Sequence, residues 1–232
     1  ACIAAPAKDF GHDPVAMSAA IQADTPVLWI ANPNNPTGNF IRKDDLRRFI
    51  ASIPPRVVVV LDEAYTDYLS PVERFDATSW IGEFPNLIIT RTFSKIYGLA
   101  GLRIGYGIAA PEVADLMNRV RQPFNVNSLA LAGALAALED QEFVAVSYEL
   151  NRRGMEQLIS GVDALGVQYI PSHGNFLTLS VPLAGLRAAA LRSYCPDTEG
   201  APIDNAIEFC ADACDGAAGP FADSITACSR AS

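Results

Sequence analysis

The sequence predicts an α/β fold: a mainly parallel sheet covered by helices, followed by a smaller α+β unit. Three observations carry that expectation. Short runs rich in β-branched residues recur at 26–31, 56–62 and 86–91, each bounded by turn-forming residues. These runs are apolar on both faces, as strands between helix layers are. Beyond residue 110 the apolar residues recur at three- and four-residue spacing, which is helical.

In chain order, "PVLWIA" (26–31) opens the sheet and "RKDDLRRFIASI" (42–53) is a crossover helix leading to "RVVVVLD" (56–62). "NLIITR" (86–91) is the third strand, and "RIGYGIA" (103–109) reads as a further one. Helices are expected at 110–122, 127–140 and 142–166. "GVQYIPSHGNFLTLSV" (166–181) returns to strand character around a turn and starts the second unit. The expected division is a large domain over 1–145 and a small one over 146–232, with about 182–232 atypical of either.

A chain of 232 residues that is 50% hydrophobic can bury a substantial core. A formal charge of −9 argues against nucleic acid as a partner. No apolar run reaches the length needed to span a bilayer, and the start lacks the layout of a signal peptide, so a cytoplasmic address is expected. Four of the five cysteines (Cys195, Cys210, Cys214 and Cys228) fall in the last forty residues. Their gaps do not match paired zinc-ligand spacing, and no metal site is expected.

Three segments put chemistry-bearing residues at the ends of expected strands, where open α/β sheets bind ligands. "NPNNPTG" (32–38) holds more asparagine than a plain turn requires, and an amide there can donate to a ligand oxygen. Asp62 closes its strand; alone it reads as a helix cap, but a carboxylate at a buried strand end also calls for a cation. Tyr65 follows three residues later, an ordinary half-buried aromatic whose phenol could reach the same ligand. "RTFSKIYGLAGLRIGYG" (91–107) holds Lys95, one of only three lysines, between Thr92, Ser94 and Arg103. Two hydroxyls and a guanidinium suit a phosphate, although a loop and a surface arginine would look alike. An amine, a phosphate clamp, a carboxylate wanting a cation, and an amide and phenol facing one oxygen together describe pyridoxal 5′-phosphate.

These three segments, in this order and spacing, resemble the fold-type I pyridoxal-phosphate aminotransferases. "KDFGHDPVAM" (8–17) and "NRVRQPFNVNSLAL" (118–131) are similar to the subfamily that works on histidinol phosphate. The resemblance implies a partial form of that transferase fold, a small-molecule amino donor and a 2-oxo acid as substrates, a role in histidine biosynthesis, and a homodimer. It implies that Lys95 binds the cofactor covalently and shuttles a proton. It also implies that Asp62 pairs with the ring nitrogen, that Asn35 and Tyr65 bond the phenolic oxygen, and that Thr92, Ser94 and Arg103 hold the phosphate.

Two departures are expected from the same resemblance. The family has a further segment upstream of residue 1, carrying a glycine-rich phosphate loop. After about residue 180 the likeness stops, and a reading-frame shift between about 181 and 192 would account for the cysteine cluster. In that case Arg187, Arg192 and Arg230 are not the arginine that binds the substrate carboxylate. The competing readings are another pyridoxal-phosphate reaction on the same fold, such as decarboxylation, and a catalytically inactive remnant.

Overall fold

The computed structural model describes residues 2–180 and the strand segments 207–208 and 224–228. The chain opens with a two-stranded hairpin, β1 (Ala7–Lys8) and β2 (Gly11–His12), then the short helix α1 (Pro14–Ala20). Asp13 caps that helix by accepting from the backbone N–H of Val15 (2.9 Å) and Ala16 (3.2 Å), and Pro14 fits the first turn, where no N–H is needed.

The central sheet has strand order β3-β4-β5-β6: β3 (Val27–Ala31), β4 (Val58–Asp62), β5 (Leu87–Thr92) and β6 (Gly105–Ala109). The first three are parallel, as expected; β6 returns antiparallel to β5 and forms an edge. Helix α2 (Lys43–Ser52) makes the first crossover and buries Leu46, Phe49 and Ile50, with Asp44 and Asp45 at its positive N-terminal end. Between β4 and β5 the chain crosses instead through two 3₁₀ turns, Thr66–Tyr68 and Ala77–Trp80.

Strand alternation sorts the sheet into two faces. Leu28, Ile30, Val59, Leu61, Leu87 and Ile89 point to one side and pack with α2 and Trp80 into the main core. Each such side chain contributes about 1.5–3 kcal/mol by leaving water. On the other side of β3, Val27 is 47% exposed and Trp29 58% exposed. The expectation of a sheet covered on both faces therefore holds for one face and fails at β3 on the other.

Helices α3 (Pro111–Val120), α4 (Ser128–Glu139) and α5 (Gln141–Ala164) follow as the periodicity predicts. The expected boundary at 145/146 falls inside α5, which leads into a second sheet. There β7 (Gln168–Ile170) and β8 (Phe176–Ser180) pair antiparallel. The segments β9 (Ile207–Glu208) and β10 (Ser224–Cys228) complete it in the order β7-β8-β10-β9. Cys195, Cys210, Cys214, Arg187, Arg192, Arg230, the expected frame shift and, apart from β9 and β10, the atypical segment lie outside the described residues. Among the described residues, no helix is long and apolar enough to cross a membrane.

The hairpin is tied to the sheet by His12, whose Nε2 lies 3.0 Å from the Ala31 carbonyl oxygen. Burial lowers the His12 pKa below its ordinary 6.5, and the bond to Ala31 only partly offsets this. A histidine more easily protonated unfolded than folded costs stability as pH falls below 6.5, down to its folded-state value. The urea midpoint is therefore expected to fall between pH 7 and pH 5.5 more steeply in the wild type than in His12→Gln. Parallel slopes would remove His12 from the pH dependence.

Candidate active site

The C-terminal ends of β3, β4 and β5 lie side by side, because Ala31 aligns with Asp62 and Asp62 with Thr90. The turn 32–38, the Asp62–Tyr65 stretch and the Thr92–Lys95 stretch therefore emerge at one edge of the sheet. Three candidate residues meet there directly. The Asn35 amide Nδ2 donates to the Tyr65 hydroxyl at 2.7 Å. The Lys95 Nζ lies 5.0 Å from the centre of the Tyr65 ring, a cation–π distance. Tyr65 is buried, with its ring edge-on to Phe176 at 5.1 Å. Because its oxygen accepts from Asn35, its own O–H remains available to donate to a ligand.

Asp62 is half-buried, and its Oδ1 accepts the Ala64 backbone N–H at 3.2 Å, which turns the chain toward Tyr65. Among the described residues it makes no ion pair. Thr90 and Thr92 share its face by strand register, and the Thr90 hydroxyl is buried with no hydrogen-bond partner among the described residues. The Thr92 hydroxyl accepts the Ser94 N–H at 3.0 Å. Residues 93–104 loop back so that the Phe93 N–H donates to the Ile104 carbonyl at 3.2 Å and Thr92 pairs with Gly105. Arg103 thus returns to the same end of the sheet, in a left-handed conformation (φ 52°), exposed, with Nη1 donating to the Ala100 carbonyl at 2.8 Å. Lys95, Asn35 and Tyr65 are brought into contact, Asp62, Thr92 and Ser94 lie on the adjoining strand ends, and Arg103 folds onto its own turn. A cavity of about 800 Å³ between the N-terminal segment and β3 contains none of these residues.

The residues present fit pyridoxal 5′-phosphate on two observations. A lysine amine stands beside a phenol already polarised by an amide. A strand-end carboxylate shares a face with an unpartnered buried hydroxyl.

One functional pair was not legible from the motifs. Glu63 follows Asp62 but points to the opposite face, where it is buried and accepts from Arg91 Nε at 2.8 Å. Arg91 also reaches Asp76 at 3.3 Å. Burial pushes the Glu63 carboxyl upward, with Arg91 opposing it. Burial works against the Arg91 charge too, but Glu63 beside it more than compensates and raises the Arg91 pKa. The pair clamps β4 to β5 behind the site. The signal was present in the alternation: a carboxylate and a guanidinium one position out of phase with Asp62 and Thr92. Glu63→Ala is expected to cost about 3 kcal/mol, the low end for breaking a buried pair, because Arg91 loses its buried carboxylate and keeps the exposed Asp76, the Tyr106 side chain and the charge of Asp67. Calorimetry should show the loss, and Glu63→Leu with Arg91→Leu should recover most of it. A single-variant loss below about 1 kcal/mol would mark the pair as an ordinary surface contact.

The family model described as aminotransferase class I and II matches residues 2–196. Histidinol-phosphate aminotransferase 1 of Dechloromonas aromatica (strain RCB) is 64% identical over 176 residues, covering 76% of this chain and 49% of the relative. Histidinol-phosphate aminotransferase 2 of Nitrosospira multiformis is 56% identical over 180 residues, covering 78% of this chain and 46% of the relative. The chain spans about half the length of these curated relatives. Among solved structures, histidinol-phosphate aminotransferase from Sinorhizobium meliloti in complex with pyridoxal-5′-phosphate superposes with a TM-score of 0.75. It is 26% identical, with 96% of this chain and 58% of that one covered.

Proposed function

The chain belongs to the class I and II aminotransferase family, and from that premise we propose that it carries the core of a pyridoxal 5′-phosphate-dependent transamination site. The amino donor in this reading is histidinol phosphate and the acceptor 2-oxoglutarate, a step of histidine biosynthesis. The names of relatives at 56–64% identity support the substrate. The observation that carries the chemistry is the Asn35–Tyr65–Lys95 contact.

When bound, pyridoxal 5′-phosphate supplies an electron sink for the charge left on the substrate Cα after deprotonation. The protein's residues do the rest. Lys95 Nζ would hold the cofactor through its amine and, when free, would take the α-proton of the amino donor and give it back. Asp62 pairs with the ring nitrogen and holds its proton there. Asn35 and Tyr65 donate to the phenolic oxygen, fixing the ring's orientation. Thr92, Ser94 and Arg103 hold the phosphate, and Arg103 must leave the Ala100 carbonyl to do so. A homodimer, a cytoplasmic location and the division near residue 145 belong to the same proposal.

The test is to mix the protein with pyridoxal 5′-phosphate, reduce with borohydride and map the label. Lys8 and Lys43 are exposed, on the hairpin and at the start of α2, so a peptide map separates all three lysines. Label on Lys95, followed by amino transfer from histidinol phosphate in preference to other amino donors, is the expected result. Label spread equally over the three lysines would overturn the cofactor assignment.

A further inference from the structure

The turn that joins β7 to β8 carries "PSHGNF" (171–176), a motif that the functional assignment leaves unused. It lies more than 130 positions from the turn after β3, yet the two are pressed together. The His173 backbone N–H donates to the Gly38 carbonyl at 2.9 Å, and the His173 ring Nδ1 lies 3.3 Å from the same oxygen. The Thr178 hydroxyl donates to the Pro36 carbonyl. Gly38 has φ +75°, and a Cβ built there would lie 2.6 Å from the Ser172 Cα, so the two backbones leave no room for a side chain.

The far side of the imidazole is also occupied. His173 Nε2 lies 3.5 Å from Glu73 Oε1, and Glu73 is itself held by the Ser70 hydroxyl, which donates to Oε2 at 2.6 Å. The Phe40 ring lies against the imidazole with centroids 5.3 Å apart, and Phe40 in turn meets Phe75. His173 therefore joins its own strand connection to two other stretches of chain, the 34–40 turn and the 70–75 turn. An acceptor faces each ring nitrogen, a carbonyl on one side and a carboxylate on the other. In either neutral tautomer one ring nitrogen donates to its acceptor, and the His173 backbone N–H bonds the Gly38 carbonyl in both.

We propose that His173 is a positioning residue that fixes the turn carrying Asn35, and through it the Asn35–Tyr65 hydrogen bond beside Lys95. The consequence for cofactor binding rests on the functional reading above; the hold on the turn does not. Within that turn the Gly38 N–H donates to the Asn34 carbonyl at 2.7 Å and the Asn34 N–H to the Asn39 carbonyl at 2.8 Å. Removing the imidazole leaves the Gly38 carbonyl with the His173 backbone bond alone and breaks the link to Glu73, so the turn opens more often.

Hydrogen exchange on the protein without cofactor tests this directly. In His173→Ala the Asn34 and Gly38 amides are expected to exchange about tenfold faster, the effect of losing one hydrogen bond with its packing. Amides of β3, β4 and β5 should keep their rates. His173→Asn, whose amide can still donate to the Gly38 carbonyl, should recover most of the protection. Glu73→Ala removes the other end of the bridge and should give a smaller acceleration at the same two amides, which keeps the test decisive if His173→Ala fails to fold. In parallel, His173→Ala should bind pyridoxal 5′-phosphate about tenfold more weakly while Lys95 still takes the borohydride label. Unchanged exchange at Asn34 and Gly38, acceleration spread evenly over the sheet, or an Asn variant no better than Ala would each overturn the assignment. Failure of the wild type to bind the cofactor would overturn the functional reading, and the exchange rates would still judge His173.

Discussion

Lys95→Ala is expected to abolish the borohydride-fixed label and to lower transamination by at least about 10²-fold, the low end of what a positioned proton carrier contributes. Both losses have one origin. In the proposed mechanism Lys95 supplies the nucleophile and the base; Lys8 sits on the hairpin and Lys43 begins α2, both exposed. Lys95→Arg separates charge from nucleophilicity. Arginine keeps a cation near the Tyr65 ring and so preserves packing, but a guanidinium does not give up its proton in this pH range. It should therefore bind the cofactor weakly, take no label and turn over no faster than the alanine variant. The measurement is label stoichiometry by mass spectrometry alongside turnover. Activity in Lys95→Arg within a few-fold of wild type would mean that another group carries the proton.

Asp62→Ala is expected to cost about 10² to 10⁴ in turnover, corresponding to the 3–5 kcal/mol lost when one member of a buried charge pair is removed. Two roles overlap in this side chain. Its Oδ1 accepts the Ala64 N–H and so shapes the turn that delivers Tyr65, and its charge is what a protonated ring nitrogen requires. Asp62→Asn retains an oxygen for Ala64 and removes the charge. If the charge matters, the asparagine variant keeps its thermal midpoint and loses turnover as fully as alanine does. If asparagine restores turnover, Asp62 serves the turn alone, and the electrostatic role assigned to it is wrong. Turnover and unfolding midpoint measured together distinguish these outcomes.

The strands and helices were legible because their signals are local. Valine and isoleucine runs bounded by Pro, Asn and Asp predict β3, β4 and β5 with little dependence on the rest of the chain. The strand-end motifs were legible for the same reason, since a parallel ladder forces residues after each strand to one edge. What the sequence concealed depends on contacts between distant segments. The antiparallel return of β6 is decided by the 93–104 loop, and no composition signal marks strand direction. His173 reads as an ordinary turn residue until Gly38 is seen 135 positions away. The Glu63–Arg91 pair was hidden in plain view. Asp62 is in phase with the site, while its neighbour, one pleat on, makes the ion pair that Asp62 was expected to need.

The uneven covering of the central sheet gives the protein two indoles with opposite surroundings. Trp80 is 5% exposed and stacked on Phe75 at 5.2 Å, whereas Trp29 stands 58% exposed on the uncovered side of β3. Emission from the first reports the integrity of the interior, and emission from the second reports whatever settles on the outer layer. Colour and quenching thus become separate channels, so loss of tertiary structure and the arrival of a covering surface register as different optical events in an unlabelled chain.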